Sequence, residues 1–236
     1  MNSIRSDYAH TIRACYVTYV IQAIIVTIQP LLFVTFSTEF GFSLEELALL
    51  TTFNFLVQLI FDILCTKIVS HVGYRKAMLI CMSLITLGLL GMVVFPYLTD
   101  PYIGLLLGTV IFGSGGGISE VLVNPIVLSC PTDSKEGALT LLHSFFCWGQ
   151  VLVVLGSTAF FMLFGTGDWR ILVVLWALVP AVNLIYFSLV PMNENEPGLE
   201  KEGTPFKQLF SMKVFWLFVI LMLCGGAAEH AVGQWA

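Results

Sequence analysis

Apolar residues in this chain occur in long stretches that short polar segments interrupt, not in the strict alternation typical of half-buried strands. We delimit seven stretches, at residues 14–36, 45–69, 77–98, 102–130, 138–164, 171–191 and 214–236. Each is at least as long as the roughly 20 residues that a helix needs to cross a bilayer. The pattern predicts an all-α membrane protein with six complete transmembrane helices and the start of a seventh.

A longer polar segment separates the sixth stretch from the seventh. Its last part, "TPFKQLF", is suited to a short amphipathic helix at the membrane surface. We expect three parts: a six-helix transmembrane bundle at 1–191, a cytoplasmic linker at 192–213 and a truncated seventh helix at 214–236. Transporters built from two six-helix repeats have this layout, with the solute site between the repeats. We therefore expect a C-terminal half that this chain lacks.

The composition agrees with a membrane protein and excludes other classes. Only 11% of the 236 residues are charged, less than half of the roughly 25% found in soluble domains. The net charge is −5 and there is no basic cluster, so we expect no nucleic-acid partner. The six cysteines lack zinc-ligand spacing, and no hydrolase or metalloprotease motif is present. We expect neither an enzyme nor a bound metal or cofactor.

The positive charges predict the orientation of the helices. Cytoplasmic loops of membrane proteins carry an excess of Lys and Arg. If the N-terminus is cytoplasmic, only Arg170 lies outside. The others then lie inside: Arg5, Arg13, Lys67, Arg75, Lys76, Lys135, Lys201, Lys207 and Lys213. We expect a multi-pass protein of the cell inner (plasma) membrane with a cytoplasmic N-terminus.

The fourth stretch contains an acid where an acid is costly. Gly113, Gly117, Glu120 and Asn124 follow spacings of four, three and four, which places them on one helix face. A carboxylate at the centre of a membrane helix costs roughly 2.5–3.5 kcal/mol on insertion scales. An acid in such a place is a candidate for function, and we expect Glu120 to carry a proton. The alternative is a permanently protonated packing residue or a partner for another polar group.

The second stretch carries Asn54, Gln58 and Asp62 at strict spacings of four. Such a stripe faces the interior of a bundle or a wet cavity instead of lipid. We expect Asn54 and Gln58 to contact a solute. Asp62 lies nearer the cytoplasmic end, close to Lys67, so it serves either proton coupling or a local gating pair.

Further polar residues are candidates for solute binding. The side chains of amides and aromatic residues suit a hydroxylated solute, with an apolar ring face against Trp and hydroxyls against polar groups. The candidates are Gln22 and Gln29 on the first stretch, His143 and Gln150 on the fifth, and Glu229 and Trp235 on the seventh. His143 lies near the cytoplasmic end of its stretch, so an interhelical role is equally open for it.

These motifs resemble the major facilitator superfamily and, within it, the fucose permease group of sugar–proton symporters. The segment "SEVLVNP" matches that group's E-x-x-x-N-P, and "LTLLHSFFCWGQ" resembles its fifth-helix motif. The resemblance implies the N-terminal six-helix bundle of a facilitator fold, a sugar and protons as transported species, and roles for Glu120 and Asn124. The group has an aspartate where this chain has Val26. Coupling would then rest on Glu120 alone or together with Asp62 or Glu229.

The expected function is transport of a small hydroxylated solute, a sugar by the resemblance, by alternating access in a lipid bilayer. One alternative is a membrane sensor or assembly subunit that binds a solute without moving it. Another is an inactive fragment of a transporter.

Overall fold

The fold is helical throughout the part of the chain that the computed structural model describes, which is residues 4–132, 134–192 and 206–235. Side chains are described for these residues except 66–68, 70, 206–207 and 229–235. The helices are α1 Tyr8–Leu31, α2 Phe33–Phe40, α3 Leu44–Val72, α4 Tyr74–Leu98, α5 Pro101–Ser129, α6 Lys135–Phe164, α7 Trp169–Leu189, α8 Phe206–Ser211 and α9 Lys213–Trp235. A 3₁₀ turn, Thr166–Asp168, precedes α7.

Six helices of the described part, α1 and α3 to α7, are long and apolar enough to cross a membrane. The prediction of an all-α membrane protein with six complete spans is confirmed. The second, third, fourth, fifth and sixth predicted stretches correspond to α3, α4, α5, α6 and α7 in turn.

The first helix differs from its prediction at both ends. It begins at Tyr8, six residues before the predicted stretch, because the Asp7 carboxylate accepts a hydrogen bond from the Ala9 N–H at 2.9 Å and caps the helix. It ends at Leu31, where the predicted stretch continues to residue 36. Pro30 lies one residue before this end and has no N–H for the helical ladder. The rest of the stretch forms the separate helix α2.

The fifth helix, α5, is the centre of the bundle. Over its membrane span 67% of its residues are buried, against 22% for α6. It packs between α3 and α4, while α1 packs against α5, α6 and α7. Glycines bring α4 and α5 together: a methyl group added at Gly104 would lie 2.5 Å from the carbonyl carbon of Phe95.

The end of α7 is tied to two other helices at one end of the bundle. Arg75, at the start of α4, donates from Nη2 to the Val190 carbonyl at 2.9 Å and from Nη1 to the Phe187 carbonyl at 3.2 Å. On α1, the imidazole of His10 is hydrogen-bonded to the Tyr186 hydroxyl at 2.7 Å. The two Arg75 bonds satisfy carbonyls that the end of α7 leaves without helical partners.

The chain divides into two compact units, Met1–Gly198 and Leu199–Ala236. The second contains α8 and α9, where the Trp216 indole N–H donates to the Phe210 carbonyl at 2.9 Å. Helix α9 occupies the predicted seventh stretch. Most of the predicted linker, residues 193–205, lies outside the described residues.

Candidate functional site

Glycines of α5 let α3 approach its middle closely. Gly113 and Gly116 lie against the side chains of Asn54 and Gln58. A methyl group added at Gly117 would lie only 2.5 Å from the Gln58 carbonyl oxygen. Small residues at helix contacts allow such an approach in membrane bundles. The polar stripe predicted on α3 therefore lies directly against the glycines predicted on α5.

Four polar side chains from three helices form what we call the amide network: Gln22, Asn54, Gln58 and Ser119. Gln22 Nε2 donates to Gln58 Oε1 at 2.9 Å, and Gln58 Nε2 donates to Asn54 Oδ1 at 3.2 Å. The Ser119 hydroxyl donates to Gln22 Oε1 at 3.1 Å. The three amide residues are only 1–8% exposed. The network is therefore an internal connection between α1, α3 and α5.

Gln29 makes a similar connection about two helical turns along α1. Its Nε2 donates to the Thr109 hydroxyl of α5 at 2.7 Å, and the residue is 2% exposed. The amides expected to bind solute, Gln22, Gln29, Asn54 and Gln58, all lie in closed helix junctions. Their described contacts are with protein groups, and a contact with solute stays a prediction.

The carboxyl of Glu120 lies in a different environment. Glu120 is exposed, although it is about 7 Å from the middle of α5 by helical rise. Asp62 of α3 is half-buried and interacts electrostatically with Glu120. The Oδ1 atom of Asp62 is buried and has no hydrogen-bond partner among the described residues. The structure thus brings together the two predicted proton-coupling residues from α3 and α5.

Tyr19 of α1 connects Asn124 with His143. Its hydroxyl donates to Asn124 Oδ1 at 3.3 Å, and its ring meets the His143 ring edge-to-face with centroids 5.2 Å apart. The Tyr19 hydroxyl also lies within electrostatic range of Glu120. We call Glu120, Asp62, Asn124, Tyr19 and His143 the carboxyl site. Sequence reasoning missed Tyr19 because an aromatic residue in an apolar stretch looks like core; its spacing of three from Gln22 was the available signal.

The remaining candidates are not joined to the carboxyl site by a described contact. Gln150 is half-buried on α6, next to Gly149, which packs closely against Val20 of α1. Glu229 and Trp235 lie on α9, and their side chains are outside the described residues.

Glu39, at the end of α2, is bound by three hydrogen-bond donors from α4 and α7. Its carboxylate accepts hydrogen bonds from the Tyr97 hydroxyl at 2.5 Å, from Trp169 Nε1 at 2.5 Å and from Arg170 Nη2 at 2.6 Å. The guanidinium of Arg170 also lies 4.2 Å from the centre of the Tyr97 ring. Burial would raise the pKa of Glu39, but the three donors together outweigh it and the pKa lies below its ordinary value. The group joins α2, α4 and α7.

Six apolar, membrane-length helices with a polar junction inside define a multi-pass membrane bundle. The chain belongs to the Major Facilitator Superfamily, whose family profile matches residues 15–236. The resemblance at superfamily level is therefore confirmed.

A crystal structure of a D-xylose-proton symporter has the same fold, with a TM-score of 0.68 and 13% sequence identity. The match covers 96% of this chain and 54% of the symporter, so the chain spans about half the length of that protein. The six membrane helices correspond to the N-terminal bundle of the superfamily fold. A search of curated proteins gives no match.

Proposed function

We propose that the protein moves a small hydroxylated solute, a sugar, across its membrane by alternating access, and that Glu120 couples this movement to protons. The observation that carries the proposal is the position of Glu120. An exposed acid lies near the middle of a membrane helix, with a second acid, Asp62, close enough to interact with it.

An acid at this depth needs water or protein beside it, because hydrocarbon cannot solvate a carboxylate. In two-halved transporters the solute site lies between the halves near the midplane. We infer that the exposed side of α5 at Glu120 faces such a cavity, with a second half completing the opposite wall. The inference agrees with the proposed division of the chain. In that division residues 1–191 form the bundle, 192–213 the linker and 214–236 the start of the next helix.

Proton coupling is supported by the two carboxyls in one site. Two carboxylates close together repel each other, and the repulsion is relieved when one of them takes up a proton. A change in charge at Glu120 can therefore favour one of two conformations, provided that the two differ in how they contact it. Uptake of a proton on one side and its release on the other would then drive the solute.

The sugar proposal is supported by the neutral polar groups near Glu120. Asn124 and His143 offer hydrogen-bonding atoms without a fixed charge, as hydroxyl groups require. Gln150, Glu229 and Trp235 are proposed to complete the site. The likeness in fold to a D-xylose-proton symporter is consistent with this solute class. We further propose a cytoplasmic N-terminus and a location in the cell inner (plasma) membrane, on the basis of the positive charges.

The test is Glu120→Gln in the complete protein, reconstituted in proteoliposomes with an imposed pH gradient and a panel of labelled pentoses and hexoses. We expect the variant to lose accumulation of solute against the solute's concentration gradient, because the glutamine cannot release a proton. Exchange of solute across the membrane should continue. Glu45→Gln is the matched control, since Glu45 is an exposed carboxylate in the first turn of α3. It should accumulate solute like the unchanged protein.

Unchanged accumulation by Glu120→Gln would contradict proton coupling through this residue. Binding of a sugar without any flux in the unchanged protein would favour a sensor or assembly subunit. If the protein neither binds nor transports any solute of the panel, the sugar proposal itself is contradicted.

A further inference from the structure

Tyr19 is buried where α1 meets α6. The residue is 7% exposed. One turn earlier, Tyr16 stacks on Phe145 with ring centroids 4.8 Å apart and an angle of 12° between the rings. The next residue of α1, Val20, packs closely against Gly149 of α6: a methyl group added at Gly149 would lie 3.0 Å from the Cα atom of Val20. The phenol ring therefore has little freedom to turn away from its neighbours.

The hydroxyl of Tyr19 lies within hydrogen-bond distance of a neighbouring amide. It donates to Asn124 Oδ1 at 3.3 Å. Because the oxygen of this amide is engaged, its Nδ2 group is left to donate in another direction. Asn124 is half-buried and lies one turn after Glu120 on the same face of α5. The bond thus sets which side of the amide is offered near the carboxyl.

The ring of Tyr19 also sets the position of an imidazole. His143 is exposed on α6 and meets the ring edge-to-face at an angle of 80°. This geometry is favoured between aromatic rings and contributes about 0.5–1.5 kcal/mol beyond burial. One side chain of α1 therefore contacts a polar residue of α5 and a titratable residue of α6.

Other titratable groups face the same place. Asp62 of α3 and Tyr19 of α1 lie within electrostatic range of Glu120, and Cys15 of α1 lies within electrostatic range of Tyr19. Cys81 of α4 lies on another side of α5, where its thiol donates to the Gly115 carbonyl at 3.1 Å. Of these described groups, Tyr19 alone contacts both Asn124 and His143.

We propose that Tyr19 is the positioning residue of the carboxyl site: through its hydroxyl it orients Asn124, and through its ring it holds His143, so that both are arranged around Glu120. The inference rests on the proposed function for the consequence to transport. The arrangement itself can be tested without a solute.

The experiment is Tyr19→Phe in the complete protein, which removes one hydroxyl and keeps both rings in contact. Tyr16→Phe is the matched control, because it makes the same change one turn away on α1. For Tyr19→Phe we expect the KM for solute to rise about three- to tenfold, with kcat changed less, as befits the loss of one hydrogen bond. The pH profile of uptake should also move. Tyr16→Phe should change neither.

A second readout needs no transport. A hydrophobic carbodiimide reacts with protonated carboxyls, and mass spectrometry reports the labelling of Glu120 as a function of pH. We expect Tyr19→Phe to move the pH midpoint of this labelling and Tyr16→Phe to leave it in place. Thermal unfolding in detergent verifies that both variants are folded; if Tyr19→Phe is not, Asn124→Ala provides the same comparison from the other partner of the bond.

The outcomes separate the two proposals. If Tyr19→Phe moves the pH midpoint of labelling but the protein transports no sugar of the panel, the positioning role is supported and the proposed function is contradicted. Uptake and labelling that are the same in Tyr19→Phe and Tyr16→Phe would overturn the positioning role. In a double-mutant cycle, Tyr19→Phe should add little to the effect of Asn124→Ala, because the two changes remove the same hydrogen bond. Fully additive losses would also overturn it.

Discussion

The amide network and the carboxyl site are neighbours, yet their polar side chains differ in burial and in hydrogen bonding. Gln58 and Asp62 are one turn apart on α3. Gln58 is 4% exposed and bonded on both sides to other amides. Asp62 is half-buried, and the nearby Glu120 is exposed. Neutral amides can satisfy one another in a closed helix junction, whereas an ionisable group needs access to water to change its charge.

This difference teaches which polar residues of a membrane helix report on folding and which report on function. A buried amide whose partners are other amides stabilises helix contacts, by about 0.6 kcal/mol per hydrogen bond in membrane proteins. An acid on an exposed face contributes little to packing. We therefore expect substitutions in the amide network to change stability first, and substitutions in the carboxyl site to change transport first.

The largest effect is expected at Gly117, where the two regions meet. A methyl group there would lie 2.5 Å from the Gln58 carbonyl oxygen and 3.1 Å from Asp62 Oδ1. Gly117→Ala should force α3 away from α5 and cost about 1–3 kcal/mol in the free energy of unfolding, as overpacked cores do. Thermal unfolding of the purified protein measures the loss, and transport should fall with it.

The control is Gly167→Ala, since no atom lies within 4 Å of a methyl group added at Gly167. It should unfold at the same temperature as the unchanged protein. Equal unfolding temperatures for the two variants would show that α3 and α5 can separate freely, and the close junction would lose its support.

A smaller effect is expected from Gln58→Leu, within the amide network. This change leaves the Nε2 group of Gln22 and the Oδ1 atom of Asn54 without their present partner. It removes two hydrogen bonds, each of which contributes about 0.6 kcal/mol in membrane proteins. The Tm should fall while the KM for solute stays within about twofold. Replacing Gln22 by Leu as well should restore part of the loss, because both partners are then apolar.

The Gln58→Leu variant tests whether the amide network stabilises the fold or binds the solute. If Gln58→Leu keeps its Tm and raises the KM by more than about tenfold, the amide network binds the solute. The sequence-based interpretation of Gln22, Asn54 and Gln58 as solute ligands would then be correct, and the closed junction would open during transport.

Much of the fold follows from the sequence, because in a membrane the length of an apolar stretch dictates a helix. The helix ends do not follow as well. The start of α1, residues 8–13, is hidden from hydropathy because it carries polar residues, and the position of this start depends on the cap provided by Asp7. The break after Leu31 depends on Pro30 and on packing that one sequence does not reveal.

The candidate site follows from the sequence only in part. Spacing along one helix places Asn54, Gln58 and Asp62 on one face, and it does so correctly. It cannot tell that Gln22 is the partner of Gln58, since that pairing depends on how α1 crosses α3. For the same reason Tyr19 escaped notice. Spacing gives faces of single helices, whereas a site is made where several helices meet.

The smallest effect is expected at Glu39, a carboxylate that three donors hold in place. Its pKa lies below its ordinary value, so its contribution to stability is present above the unfolded value of about 4.3. The contribution is lost as pH falls through the folded pKa. In the unchanged protein the Tm should therefore decline below about pH 4. Because the group is partly exposed, the contribution is less than about 1 kcal/mol.

Glu39→Gln should lower the Tm slightly at pH 7 and remove this part of the decline in acid, while leaving solute uptake intact. Glu45→Gln, at an exposed carboxylate of α3, should follow the pH profile of the unchanged protein. A Glu39→Gln variant that loses uptake at an unchanged Tm would show that a fully bonded carboxylate can also serve transport. The distinction between the two kinds of acid, one held by donors and one exposed beside a second carboxyl, would then not hold in this bundle.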